Sequence, residues 1–157
     1  MSDNPIRVCL DKHLIEKAHP GVQVPAEAWL TAAGTHITSA RALLGSDPVG
    51  SITLSWLSCH NIAKATVAHA GFRLKDETHG KIADFLGCVY GPVLTPEQRG
   101  AIQQIRDARN AMTYGDPRHP QNRLVGLAVT VAERLHDLAS AVTAPTRGST
   151  SESLGHD

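Results

Sequence analysis

The sequence predicts an all-α protein, an up-and-down bundle of four to five helices. Three observations lead there. Apolar residues recur at helical spacing between Pro25 and Val142, Pro and Gly punctuate those runs, and no segment alternates with the period of two that marks a half-buried strand. The chain has 157 residues, which suits one domain. Hydrophobic residues make up 41% and aromatics only 4%, so the expected core is aliphatic, built from Leu, Ile, Val and Ala. Residues 1–24 mix Pro5, Pro20 and Gly21 with scattered charge and read as an irregular N-terminal segment. Residues 25–142 carry the bundle, and the polar residues 143–157 read as a disordered tail.

The first helix is expected from Pro25 to Leu44, with proline in its first turn, where the missing N–H is harmless. Trp29, Ala33, Ile37, Ala40 and Leu44 line one face, and Gly45 ends it. Asp47 before Pro48 marks a second start, a capping carboxylate ahead of proline. From Pro48 to about Ala70, Ile52, Trp56, Cys59, Ala63 and Val67 form a stripe closed by Gly71. A third helix is expected over Asp76 to Val89, with Ile82, Leu86 and Val89 inward and Gly91-Pro92 as its stop. Thr95-Pro96-Glu97-Gln98 has the pattern of a capping box and opens a fourth, ending at Gly115-Asp116-Pro117. The last runs from about Asn122 to Val142, with Leu124, Leu127, Val131, Leu135, Leu138 and Val142 as a seam for neighbouring helices. Short connections between such helices favour a bundle.

Fifteen basic residues balance fifteen acidic ones, which excludes a chain that coats nucleic acid by bulk charge. No run of about 18 apolar residues is present, so no membrane span is expected. The first ten residues, with Asp3 and Arg7, lack the apolar stretch of a signal peptide. Cys9, Cys59 and Cys88 are odd in number and widely spaced, neither a disulfide framework nor a zinc pattern. A reducing, cytoplasmic location is therefore expected. The nine histidines show no paired-ligand spacing, so neither metal nor cofactor is expected. His36 borders an apolar face and reads as half-buried, and Cys59 reads as a small hydrophobe.

One residue breaks the pattern. In the fourth helix Ile102, Ile105, Arg109 and Met112 share a seam, which puts a guanidinium among apolar side chains. An unpaired buried charge costs several kcal/mol, so Arg109 must find partners. Arg106 lies one turn earlier, and Asp107 and Asn110 flank the position. Two arginines so close repel unless an anion lies between them. Spacing admits two readings: an Arg109 that snorkels out or pairs with a carboxylate, and an anion-facing site completed by Asn110 and Tyr114. Arg99, Arg106, Arg109, Arg118 and Arg123 cluster in sequence around this helix, as a solvated face or as a nucleic-acid surface.

The segment Arg106-Asp-Ala-Arg-Asn-Ala-Met-Thr-Tyr114 resembles the signature of the HEPN superfamily: an arginine, a polar residue and, four to six places on, a histidine near a helix end. Arg109 and Asn110 match the first two places, and Tyr114 stands at the third. Thr78-His79, with Ile82 and Leu86, is similar to the Thr-His motif that opens a helix in that family. His60-Asn61-Ile-Ala-Lys64 and Gly71-Phe72-Arg73 are similar to its second helix and exit loop, and the likeness spans Ala26 to Val142.

The resemblance implies a metal-independent endoribonuclease of toxin–antitoxin or phage-defence type, acting on RNA in a homodimer cleft. An antitoxin or nucleotidyltransferase is the implied partner. It assigns Arg109 to the scissile phosphate, Asn110 to its orientation and Tyr114 to the acid–base place, with Arg106 and His79 toward the substrate. A free tyrosine has a pKa of about 10 against about 6.5 for histidine, so roughly one in a thousand is a base at pH 7. Loss of matched acid–base catalysis costs on the order of 10²–10⁴ in rate. That leaves a second function open: a non-catalytic module that holds a nucleotide or a partner protein in the same cleft. His119 is a weaker candidate for the acid–base place, being farther along the chain beyond Pro117.

Overall fold

The structure, a computed structural model, describes residues 4–21, 23–113 and 122–145. Among these the chain forms α1 (Pro5–Asp11), β1 (Ile15–Lys17), α2 (Ala26–Ala42), α3 (Pro48–His69), β2 (Phe72–Leu74), α4 (His79–Tyr90), α5 (Pro96–Thr113) and α6 (Asn122–Thr143). A 3₁₀ turn at Gly91–Val93 joins α4 to the approach of α5. The protein is mostly helical, as expected.

The helix starts follow from the capping chemistry. The Asp47 carboxylate accepts a hydrogen bond from Gly50 N at 2.9 Å, directly ahead of Pro48. Thr95 and Gln98 bond reciprocally: Gln98 N donates to Thr95 Oγ1 at 3.2 Å, and Thr95 N to Gln98 Oε1 at 3.0 Å. The helix expected from Asp76 begins later. Asp76 Oδ1 accepts from Thr78 N at 2.9 Å, a local turn that competes with the helix and holds its first residue back to His79. At the end of α3, Gly71 has φ +82°, the left-handed cap conformation that glycine adopts without strain.

The Asp47 cap can be tested. A Cβ on Gly50 would meet Asp47 Oδ2 at 2.3 Å, so Gly50→Ala displaces the carboxylate. The expected loss is about 1 kcal/mol, read as a lower urea midpoint. Asp47→Ala added to Gly50→Ala is expected to change that midpoint little, because both remove one bond.

Helix α3 is the axis of the fold and packs on α2, α6, α5, α4 and β2. Ile52, Trp56, Cys59, Ala63 and Val67 are all buried, as the stripe predicts. Ser51, Ser55, Ser58, Asn61, Ile62, Ala65 and Thr66 are buried too, so α3 is enclosed over most of its circumference. Its hydroxyls are satisfied where they meet neighbours. Ser51 Oγ donates to Ala40 O at 2.7 Å and Ser58 Oγ to Ala33 O at 3.1 Å, both on α2. Thr66 Oγ1 donates to Ile62 O at 2.9 Å, which leaves Tyr90 as donor in its 2.5 Å hydroxyl contact with Thr66.

Three expectations are corrected. Residues 1–24 are not irregular throughout: they contain α1 and β1, and β1 pairs antiparallel with β2, Ile15 opposite Leu74 and Lys17 opposite Phe72. Cys9, Leu14 and Ile15 enter the core there, and strands this short give no period-two signal to read. The α6 seam is also rotated. Val131 and Leu135 are buried, but the rest of the buried face is Val125, Ala128, Val129, Ala132 and Ala139, while Val142 is exposed. Small alanines let α6 approach its neighbours closely, so the larger leucines beside them flank the contact.

The third correction concerns direction. Arg99, near the start of α5, reaches Gly91 O at the end of α4, and Arg106 lies beside Gly80 at its beginning, so α4 and α5 are antiparallel. Arg123 at the start of α6 instead pairs with Glu97 at the start of α5, at 2.7 Å. Helices α5 and α6 therefore run in the same sense, a departure from up-and-down alternation. Apolar spacing along one helix does not encode the direction of its neighbour.

Candidate functional site

Helix α5 carries the arginines. Ile102 and Ile105 are buried, and the same row continues outward through half-buried Arg109 and Met112. A half-buried position limits the rotamers open to a long side chain. Asn110, next along the helix, is also half-buried.

Arg106 is held from two sides. Its Nε and Nη2 donate to Asp107 Oδ1 at 3.0 and 2.7 Å. A Cβ placed on Gly80 would lie 3.7 Å from its Nη1, so the guanidinium rests over the first turn of α4. The N-cap residue of that helix, Thr78, makes no side-chain capping bond. A cation beside the positive end of a helix favours an anion, since both the charge and the outward N–H groups attract it. His79 is the first residue of α4, so its backbone adjoins Gly80 and the Arg106 guanidinium.

Arg106 and the backbone at His79 are thus brought together from separate parts of the sequence, and Arg109 and Asn110 share the helix with Arg106. Tyr114 lies outside the described residues, as do Gly115, Arg118 and His119. The wider arginine cluster divides. Arg99 Nη1 donates to Gly91 O and Leu94 O, each at 3.0 Å, and so fastens the turn between α4 and α5. Arg123 pairs with Glu97 at that same end of α5. Neither stands with Arg106.

Other sequence candidates resolve as packing. Cys59 is fully buried, and desolvation pushes its thiol up to about 12. His36, within α2, is half-buried. Among the described residues no group of three or more His, Cys, Asp or Glu is placed to hold a metal ion. No helix among them is long and apolar enough to cross a membrane.

One constellation is absent from the sequence reading. Lys64 Nζ lies 4.6 Å from the ring centroid of Trp29 and 3.4 Å from Glu77 Oε2, at the wall of a cavity of about 340 Å³ that Phe72 and Arg73 also line. The apolar-face pattern sends Trp29 inward; Leu30 takes the inner place, and the half-buried indole receives the ammonium as a cation–π partner. Compared with known proteins, the chain matches no family model and no curated protein.

Proposed function

We propose that the protein is a HEPN-like endoribonuclease of toxin–antitoxin or phage-defence type, cytoplasmic, that cleaves RNA without a metal at a cleft between two copies of the chain. The observation that supports this reading most is the convergence of Arg106 with the N-terminal turn of α4, on the helix that also carries Arg109 and Asn110. Such an arrangement suits a phosphodiester. Guanidinium groups offer fixed, paired donors to the charge that builds on phosphorus oxygens as a ribose 2′-OH attacks. In this mechanism Arg109 holds the scissile phosphate, Asn110 orients it, and Arg106 and His79 take the adjoining backbone. Tyr114 is assigned the third place of the motif, with the role of a hydrogen-bond donor to the leaving oxygen. The products carry a 2′,3′-cyclic phosphate and a 5′-hydroxyl. A paired antitoxin or nucleotidyltransferase would restrain the activity by covering the cleft.

The test is incubation of purified dimeric protein with total RNA and with tRNA in the presence of a chelator, beside Arg109→Ala. Cleavage that leaves 2′,3′-cyclic ends and is lost in the variant supports the ribonuclease. Intact RNA with both proteins equally folded rejects it in favour of a non-catalytic module that binds a nucleotide or partner protein.

A further inference from the structure

The cavity beside Trp29 is walled by separate parts of the chain. Trp29 comes from α2, Lys64 and Val67 from α3, Phe72 and Leu74 from β2, and Val24 from the connection between β1 and α2. Val67 and Leu74 are buried and Phe72 is half-buried, so much of the lining is apolar. Its volume of about 340 Å³ lies at the lower end of the range of about 300–1,000 Å³ typical of small-molecule sites. The charged groups on its wall differ in how firmly they are held. Arg73 is committed to Glu16, its partner across the strand pair, with 2.5 Å between guanidinium and carboxylate. Lys64 is held more loosely. Its Nζ stands 3.4 Å from Glu77 Oε2, longer than the about 2.7–2.9 Å of a tight charge-assisted bond. The Glu77 side chain is 55% exposed, so water shares that carboxylate. The other contact of the ammonium is the Trp29 ring, 4.6 Å to the centroid. An ammonium has three donors, and a ring face with one distant oxygen leaves donor capacity at the wall of an apolar cavity.

We propose that this cavity binds a small aromatic carboxylate, one or two fused rings in size. The ring system packs against Trp29 and Phe72, where aromatic faces and edges reward an aromatic guest over an aliphatic one. The carboxylate accepts from the Lys64 ammonium. A single ammonium beside Glu77 balances one negative charge, which favours a carboxylate over a dianionic phosphate ester. Glu77 and the ligand compete for Lys64, so binding exchanges one carboxylate for another and leaves no charge buried without a counter-charge. The site shares no residue with the one on α5.

The experiment titrates the full chain with 2-naphthoate in a calorimeter, beside the uncharged 2-naphthamide and the dianionic adenosine monophosphate. Naphthoate is expected to bind about tenfold or more tightly than either, the usual value of a hydrogen bond to a charged group. Lys64→Met keeps the apolar stem and removes the charge. It is expected to weaken naphthoate to the level of the amide and to leave the amide within about twofold of wild type. Glu77→Gln removes the competitor and is expected to tighten naphthoate several-fold, a gain that a merely structural role for the Lys64–Glu77 pair would not give. Circular dichroism confirms that both variants are folded. Four results overturn the proposal: no binding of naphthoate at millimolar concentration, equal binding of naphthoate and naphthamide, tighter binding of adenosine monophosphate than of naphthoate, or naphthoate affinity unchanged in folded Lys64→Met.

Discussion

Arg109→Ala is expected to lower metal-free RNA cleavage by about 10²–10³-fold, the usual loss when one donor to a developing oxyanion is removed. The unfolding midpoint is expected to move little by comparison, because Arg109 sits at the outer, half-buried end of its row while Ile102 and Ile105 hold the helix down. Arg109→Lys separates charge from geometry. A lysine restores the positive charge but not the paired donors, so it recovers only a small part of the lost rate. Tyr114→Phe is expected to stay within about tenfold of wild type, because a phenol of ordinary acidity is almost never a base at neutral pH. Tyr114→His supplies a group whose pKa matches the reaction and is expected to raise the rate, by up to about 10². Initial rates on one defined RNA, at equal folded concentration, measure all four. Full activity in Arg109→Ala would remove the site from α5.

The second large effect is alkaline unfolding. Burial pushes the thiol of Cys59 up to about 12 and raises Cys9 and the Tyr90 hydroxyl above their ordinary values. All three are neutral in the fold, and their charged forms are favoured only when the chain opens. Stability is therefore complete below the unfolded pKa values and falls as pH rises through the interval up to the folded ones. That interval opens near pH 8.5 for thiols and near pH 10 for tyrosine, in rough terms. Each group contributes a slope of about 1.4 kcal/mol per pH unit once its unfolded form ionises. Urea midpoints between about pH 7 and pH 11 are expected to be flat at first and then to drop steeply. Cys59→Ala is expected to make the drop shallower. Tyr90→Phe is expected to change only its most alkaline part. A midpoint constant across the whole range would contradict the burial of these groups.

How much of this was legible in the sequence depends on whether the signal was local. Asp47-Pro48 and Thr95 with Gln98 are short-range chemistry, and those helix starts form as read. The α3 stripe was also legible, because five residues at helical spacing leave little choice. Pairings across the chain were not. Nothing in Ile15–Lys17 announces its partner at Phe72–Leu74, since a three-residue strand has no period to display. Apolar size points to the wrong face of α6, because close helix approach selects alanine. Arg109 was conspicuous as a cation in an apolar row. The proximity of Arg106 to Gly80 was not, because it depends on how α4 crosses α5.

The two serine bonds between α3 and α2 have a consequence for motion. Ser51 and Ser58 stand seven residues apart, and so do the carbonyls they reach, at Ala40 and Ala33. The pairs are therefore in one antiparallel register, and a slide of either helix by a single turn would break both at once and strand two buried hydroxyls. This hairpin behaves as one rigid body. Backbone amides along the centre of α3 should therefore be among the slowest to exchange with deuterium.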